Sequence, residues 1–464
     1  MTPKIFSEFS PSNKEAWKKQ AIWDLRGKDF DESLKSLLWD KIEIEPFYTR
    51  EDLIDLPKLP QSSFETPSSL PGFPPRNWVN FVAAFPDTAN KEILNFLQNG
   101  ATGLILHLRG DENLDEMLKG VMPEFISILV KPLGDPDLVL GSFMEWVRKI
   151  GLDKQNLIGA FLWSPMDMLF EEGKSWEEAL STFRKVNAIV QDFQNFHSFT
   201  FRFGRYTDSG ATGLEELIFG FGEIIDLIAN SGIEPEVILR KGAFYSSVAE
   251  SHFPEIAKLK ALRFFASDLA FQYGVILEPA ELTVYAQTSD WSKSILDADT
   301  NLIGQTYEAM AAVFGGVNGL WIKPFQIEIA SDLELRIARN VSSILVHESY
   351  LDKVVDPAAG SFYLDKLIFQ IMEQVRLGLQ NLEEKGGWLA AFDSREIHGI
   401  VRESRLKIQN AVLAGQISKI GVNKYPTDEK VKNSIMFSPI QENEFELKPS
   451  RAAYLVELQN QAKA

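Results

Sequence analysis

WVNFVAAF, at Trp78–Phe85, opens a rhythm that decides the fold. Seven further short runs rich in β-branched and aromatic residues follow it. They are GLILHL (Gly103–Leu108), FISILVK (Phe125–Lys131), LIGAFLW (Leu157–Trp163), SFTFRFG (Ser198–Gly204), VILRKGAF (Val237–Phe244), LTVYAQT (Leu282–Thr288) and GLWIKPF (Gly319–Phe325). Longer segments of helical spacing lie between them, among them Trp176–Phe193, Gly213–Ala229, Ile256–Phe271 and Thr306–Phe314. Strand–helix alternation predicts parallel βαβ units. Most of the strands are apolar on both faces, as expected where helices cover the outside. Roughly eight units close a (β/α)8 TIM barrel of ordinary size. An open doubly wound sheet is the competing reading. No GxGxxG or GxxxxGK[ST] loop follows a strand, which weakens its nucleotide-binding form.

Outward from this core the composition shifts. Leu56–Pro75 reads LPKLPQSSFETPSSLPGFPP, too rich in Pro and Ser for a central strand or a long helix. It reads either as a linker or as an extended arm with Phe47, Tyr48, Phe64 and Phe73 as anchors against a partner. Further upstream, Asn13–Trp23 and Asp31–Trp39 have helical spacing, and beyond residue 350 so do Asp365–Glu384, Ser394–Ala414 and Arg451–Lys463. The expected division is an N-terminal arm (1–75), the barrel (76–350) and a C-terminal helical extension (351–464).

Composition narrows the function. The 464 residues include no Cys, which excludes disulfides, thiolate zinc sites, iron–sulfur clusters and a Cys nucleophile. A net charge of -18 argues against nucleic-acid binding. Met1–Lys19 has no signal-peptide core, and the apolar run Leu217–Ile228 carries Glu223 and Asp226, so no membrane segment is expected and the cytoplasm is the expected location. The five histidines show no HxxxH or HExxH pairing, so no metal site is expected. His107 stands near a strand end, at the rim where barrel active sites form; His197 precedes a strand and belongs to the opposite face. The rim is expected to carry Asp87, Arg109, Lys131, Ser164, Arg205, Tyr206, Lys241, Gln287, Ser289 and Lys323. Its cations suit an anionic ligand, or they pair with the many acids. No nucleophile–base–orienter set can be read from spacing.

Several segments resemble signatures of the methylmalonyl-CoA mutase family. They are YEAMAAVFGG (Tyr307–Gly316), RIARN (Arg336–Asn340), VDPAAGSFY (Val355–Tyr363) and PEIAKLKA (Pro254–Ala261), the last with Lys260 where the family has Arg. QTSDWS (Gln287–Ser292) resembles the family's QTSGWS with Asp290 for Gly, and PFYTREDL (Pro46–Leu53) resembles its arm. The resemblance implies a (β/α)8 barrel that takes an acyl-CoA along its axis. It also implies adenosylcobalamin, held on a separate flavodoxin-like domain, as the radical source for interconverting methylmalonyl-CoA and succinyl-CoA, a step of propionate metabolism.

The departures decide which kind of member is expected. The family's cobalt-ligating D-x-H-x-x-G motif is missing: His107 has Gly110 three positions on, but Ile105 stands where Asp is required. The chain also ends near where that domain would begin, so no cobalamin-binding flavodoxin-like domain is expected. Val82 falls near the family's catalytic Tyr. FGRYTDSGAT (Phe203–Thr212) is one residue shorter than the family's loop and lacks its His, with Arg205 and Tyr206 there instead. No catalytic residue is therefore expected, and a degenerate pocket of Val82, Arg205, Tyr206, Gln287 and Ser289 is. This pattern resembles the small, non-catalytic subunit of a heterodimeric isomerase, which binds no cofactor while a catalytic large subunit holds adenosylcobalamin. Acyl-CoA contact is left open. The alternative is an active acyl-CoA mutase barrel that borrows a cobalamin domain from another chain. A regulatory or chaperone-like role lacks the nucleotide loop it would call for.

Overall fold

In the computed structural model, residues 12–57, 75–426 and 437–461 are described. Most of the Pro-rich run lies outside them, with Phe64 and Phe73. The parallel strands are β1 (Val79–Ala84), β2 (Gly103–Leu108), β3 (Ser127–Pro132), β4 (Ile158–Phe161), β5 (Phe196–His197 and Phe199–Phe201), β6 (Gly242–Val248), β7 (Val284–Thr288) and β8 (Gly319–Trp321). They pair in chain order, and β8 returns to β1. The two halves of β5 close the ring: the first pairs with β4, the second with β6, and only Ser198 separates them. Closure removes the open-sheet reading and leaves a nearly closed barrel with helices around it. Phe196 and Phe199, three residues apart, both pack in the outer core, so the break at Ser198 inverts the in–out alternation.

Two local expectations are corrected. VILRKGAF is not a strand: Pro235 starts a helix, Pro235–Lys241, whose Ile238 and Leu239 are buried, and β6 begins only at Gly242. Ser246 and Ser247 disguise a fully buried strand as a turn. Lys241 therefore leaves the rim and donates to the Phe193 carbonyl (2.7 Å) before β6 begins. Asp31–Trp39 is likewise not one helix. The helix stops at Leu34, and Ser36–Leu38 pairs with Ile42–Ile44 across a turn in which Trp39 and Asp40 take positive φ.

The barrel is filled. Phe81, Ala83, Ile105, Leu129, Ala160 and Ala243 form an inner core with Tyr245, Tyr285 and Trp321. Phe81 and Tyr285 meet edge to face at 5.5 Å between ring centres. Gly159, at φ 149°, lets β4 lie so close to β3 that a Cβ there would sit 1.8 Å from the Ile128 carbonyl oxygen.

The segments beyond the barrel join its outer core. Phe362–Glu384 packs on His252–Gln272 and Gly213–Asn230. Trp388 is fully buried, stacks on Phe392 and donates from Nε1 to the Tyr206 hydroxyl (2.9 Å). At the other end, Ile42 enters the same core and Trp39 lies over Gly213. Phe47 stacks on Trp17 and Tyr48 packs on Tyr363, so both of these arm aromatics already have neighbours within the chain. Among the described residues no helix is long and apolar enough to cross a membrane. Trp388→Ala is expected to lower unfolding stability by about 3–5 kcal/mol, the usual cost of truncating a large core aromatic. Urea denaturation measures this; an unchanged midpoint would show that the C-terminal helices do not share the barrel's core.

Candidate functional site

Alternation along eight strands sends one residue from each to the C-terminal mouth. His107, Lys131, Arg202, Ser247, Gln287 and Lys323 are the polar ones, and Phe85 and Leu162 complete the ring. They surround a cavity of about 360 Å³, roofed in part by Ile327, Phe170, Leu447 and Pro449. The C-terminal segment thus covers the mouth, and the Ser450 amide donates to the Asp208 carbonyl (2.8 Å).

Two carboxylates organise the wall. Asp167 accepts from Arg202 (2.8 Å) and Arg205, with Lys131 3.7 Å away. Burial opposes its ionisation, but Arg202, Lys131 and Arg205 outweigh burial and hold it well below the usual carboxylate range. Opposite it, Asp208 accepts from Ser289 Oγ (2.7 Å), Ser247 Oγ (2.7 Å), Gln287 Nε2 (2.8 Å) and the Asp290 amide (3.2 Å). Burial and the neighbouring Asp290 raise its pKa. Asp290 pairs with Lys323. His107 stacks on Phe85 (4.5 Å between ring centres), and burial, then Lys131, Lys323 and Arg202, push it down to about 3, so it stays neutral. Among the described residues no group of acids and histidines could hold a metal ion.

The five expected pocket residues separate. Gln287 lines the cavity and accepts from the Tyr245 hydroxyl (3.1 Å). Arg205 lines it too, with its guanidinium on Asp167 and 4.7 Å over the Phe170 ring. Ser289 stands behind the wall as a donor to Asp208. Tyr206 points the other way: its hydroxyl donates to Glu223 (2.7 Å) deep in the outer core. Val82 does not line the cavity either; Phe81 and Ala83 on each side of it face inward, so it faces the helices, and Phe85 is the β1 residue at the mouth. Sequence reasoning missed Arg202 and Asp208. Counting two residues on from Thr200 would have found Arg202, had the break at Ser198 been visible.

A family profile described as methylmalonyl-CoA mutase matches residues 98–463. The chain belongs to the methylmalonyl-CoA mutase family. It is 28% identical over 458 residues to the methylmalonyl-CoA mutase small subunit of Porphyromonas gingivalis, covering 92% of this chain and 72% of that one. To the methylmalonyl-CoA mutase of Rhizobium meliloti it is 25% identical over 460 residues, 87% of this chain and 63% of that one. To a probable methylmalonyl-CoA mutase large subunit of Mycobacterium bovis it is 29% identical over 240 residues, 49% of this chain and 32% of that one. It thus spans less than two thirds of the length of the latter two. Among the described residues every parallel strand of the main sheet belongs to the barrel, and no flavodoxin-like sheet accompanies it. Phe81, Tyr245, Tyr285 and Trp321 pack together in the inner core of the barrel.

Glu223 supplies a pH test of the wall behind Tyr206. Burial raises it to about 7 from an ordinary 4.5, with Arg205 and the Tyr206 hydrogen bond only partly opposing. A raised acid supports the fold while protonated, and that support fades as pH climbs from about 4.5 through about 7. Glu223→Gln removes the titration. Between pH 5 and pH 8 the stability difference should move in the variant's favour by up to about 3 kcal/mol, at about 1.4 kcal/mol per pH unit of displacement. Urea unfolding at both pH values checks it; a difference independent of pH would contradict the raised carboxyl.

Proposed function

We propose that this chain is the non-catalytic small subunit of a two-chain methylmalonyl-CoA mutase, supporting a catalytic large subunit that carries adenosylcobalamin. The observation that carries the reading is the packed barrel axis: aromatic rings stand where an acyl-CoA would have to pass. Two further features support it. The similarity to a small subunit extends over 92% of the chain. At the positions resembling the family's catalytic Tyr and His, Val82 faces away from the cavity, Tyr206 is bonded to Glu223, and Arg205 is engaged with Asp167. A missing polar donor at a reacting carbonyl costs about 3–4 kcal/mol of transition-state stabilisation. In this reading the chain works in the cytoplasm, as one half of a heterodimeric isomerase, and holds neither metal nor cofactor itself. The arm of residues 1–75 contributes to the partner contact; Trp23 and Ile54, 76% and 69% exposed, are apolar groups on it that the fold leaves uncovered.

The chain should co-elute with its catalytic partner as a one-to-one complex in size-exclusion chromatography. The purified chain alone, given adenosylcobalamin and methylmalonyl-CoA, should produce no succinyl-CoA above background. Turnover by the chain alone, or failure to co-elute at low micromolar concentration, would overturn the proposal.

A further inference from the structure

Lys131 is a mouth cation that the described residues hold only through a long ion pair. It stands on β3 pointing into the barrel, and its side chain is 16% exposed. Among the described residues its ammonium donates no hydrogen bond. Its nearest carboxylate, Asp167, is 3.7 Å away and already held by both Arg202 and Arg205. Arg202 also reaches Glu171 (3.0 Å), which is itself 56% exposed. Three cations thus share two acids on this side of the mouth. Burial and then Arg202 lower the pKa of Lys131 against the pull of Asp167 and Glu171. An ammonium that reaches the cavity with no hydrogen bond to the described residues is open to an anionic acceptor there.

We propose that the barrel mouth binds a small organic monoanion, a carboxylate on an apolar body, with Lys131 as its charged anchor. The cavity, about 360 Å³, lies at the small end of ligand pockets, which run from about 300 to 1,000 Å³. Phe85, Leu162, Trp321 and Ile327 give it an apolar wall. The far side carries Asp208, which only neutral donors hold, and Asp290, which already engages Lys323, so a second negative charge on the ligand gains little there and a monoanion is favoured over a dianion. The packed axis below keeps the ligand at the mouth. The site rests on the cavity alone and stands whether or not the chain supports a catalytic partner.

Benzoate is a suitable probe, with its neutral isostere benzamide and with inorganic phosphate as comparisons, each titrated calorimetrically into the full chain at neutral pH. Benzoate should bind at least about tenfold more tightly than benzamide, the scale of one charge-assisted hydrogen bond. Phosphate, about half dianionic at neutral pH and without an apolar body, should bind more weakly than benzoate. Lys131→Met should cost benzoate at least about tenfold and leave benzamide unchanged, whereas the surface variant Lys154→Met should change neither. Benzoate binding no tighter than benzamide, benzoate binding unchanged in Lys131→Met, or phosphate binding tighter than benzoate would each overturn the proposal. Should Lys131→Met fail to fold, the ratio of benzoate to benzamide binding in the natural chain remains decisive.

Discussion

Eight parallel strands that close on themselves leave an axis that has to be filled, and aromatic rings fill it here. Phe81 and Tyr285 meet edge to face in the middle of the barrel, with Tyr245 and Trp321 in the same cluster. Large rings gain burial and close packing at once, and an empty channel of that width would forfeit both. The cavity exists because this filling stops short of the strand ends. Above the aromatic layer the inward positions switch to Lys, Arg, His, Ser and Gln, which cannot be packed dry.

Charge at the mouth is arranged as two poles. Asp208 collects neutral donors from three different strand ends or loops, so it is solvated by the protein without a cation in direct contact. Asp167 collects guanidinium groups and has Lys131 close by. Most of the rim cations do pair with acids, as the balance of charges suggested: Arg109 with Asp87, Lys323 with Asp290, Arg205 with Asp167. Their pairing leaves the mouth structured and polar.

The segments outside the barrel are part of its packing. Helices after residue 361 cover the helices that surround β5 and β6, and the segment around Leu447–Arg451 lies over the mouth. The hairpin near Trp39 lies against the start of the helix Gly213–Asn230. Two of the arm's aromatics are thereby committed to contacts within the chain, and among the apolar groups left exposed are Trp23 and Ile54, which were not singled out by spacing alone.

The sequence by itself determined the barrel, because strand–helix alternation is a local pattern and each strand's apolar run states that both faces are covered. It also placed Lys131, Gln287 and Lys323 at the mouth, since these follow legible strands and alternation carries them inward. It misplaced Lys241, where a helix and a strand run together without a break in hydrophobicity. Tertiary structure alone decided the rest. Arg205 and Tyr206 are neighbours in the chain, yet a single helical turn sends one to the cavity and the other to Glu223. Asp208 acquires its role only when Ser247, Gln287 and Ser289, 39, 79 and 81 residues away, converge on it. Whether the axis is open or filled depends on the volumes of side chains from eight strands summed in one layer, a property that no single stretch of sequence contains.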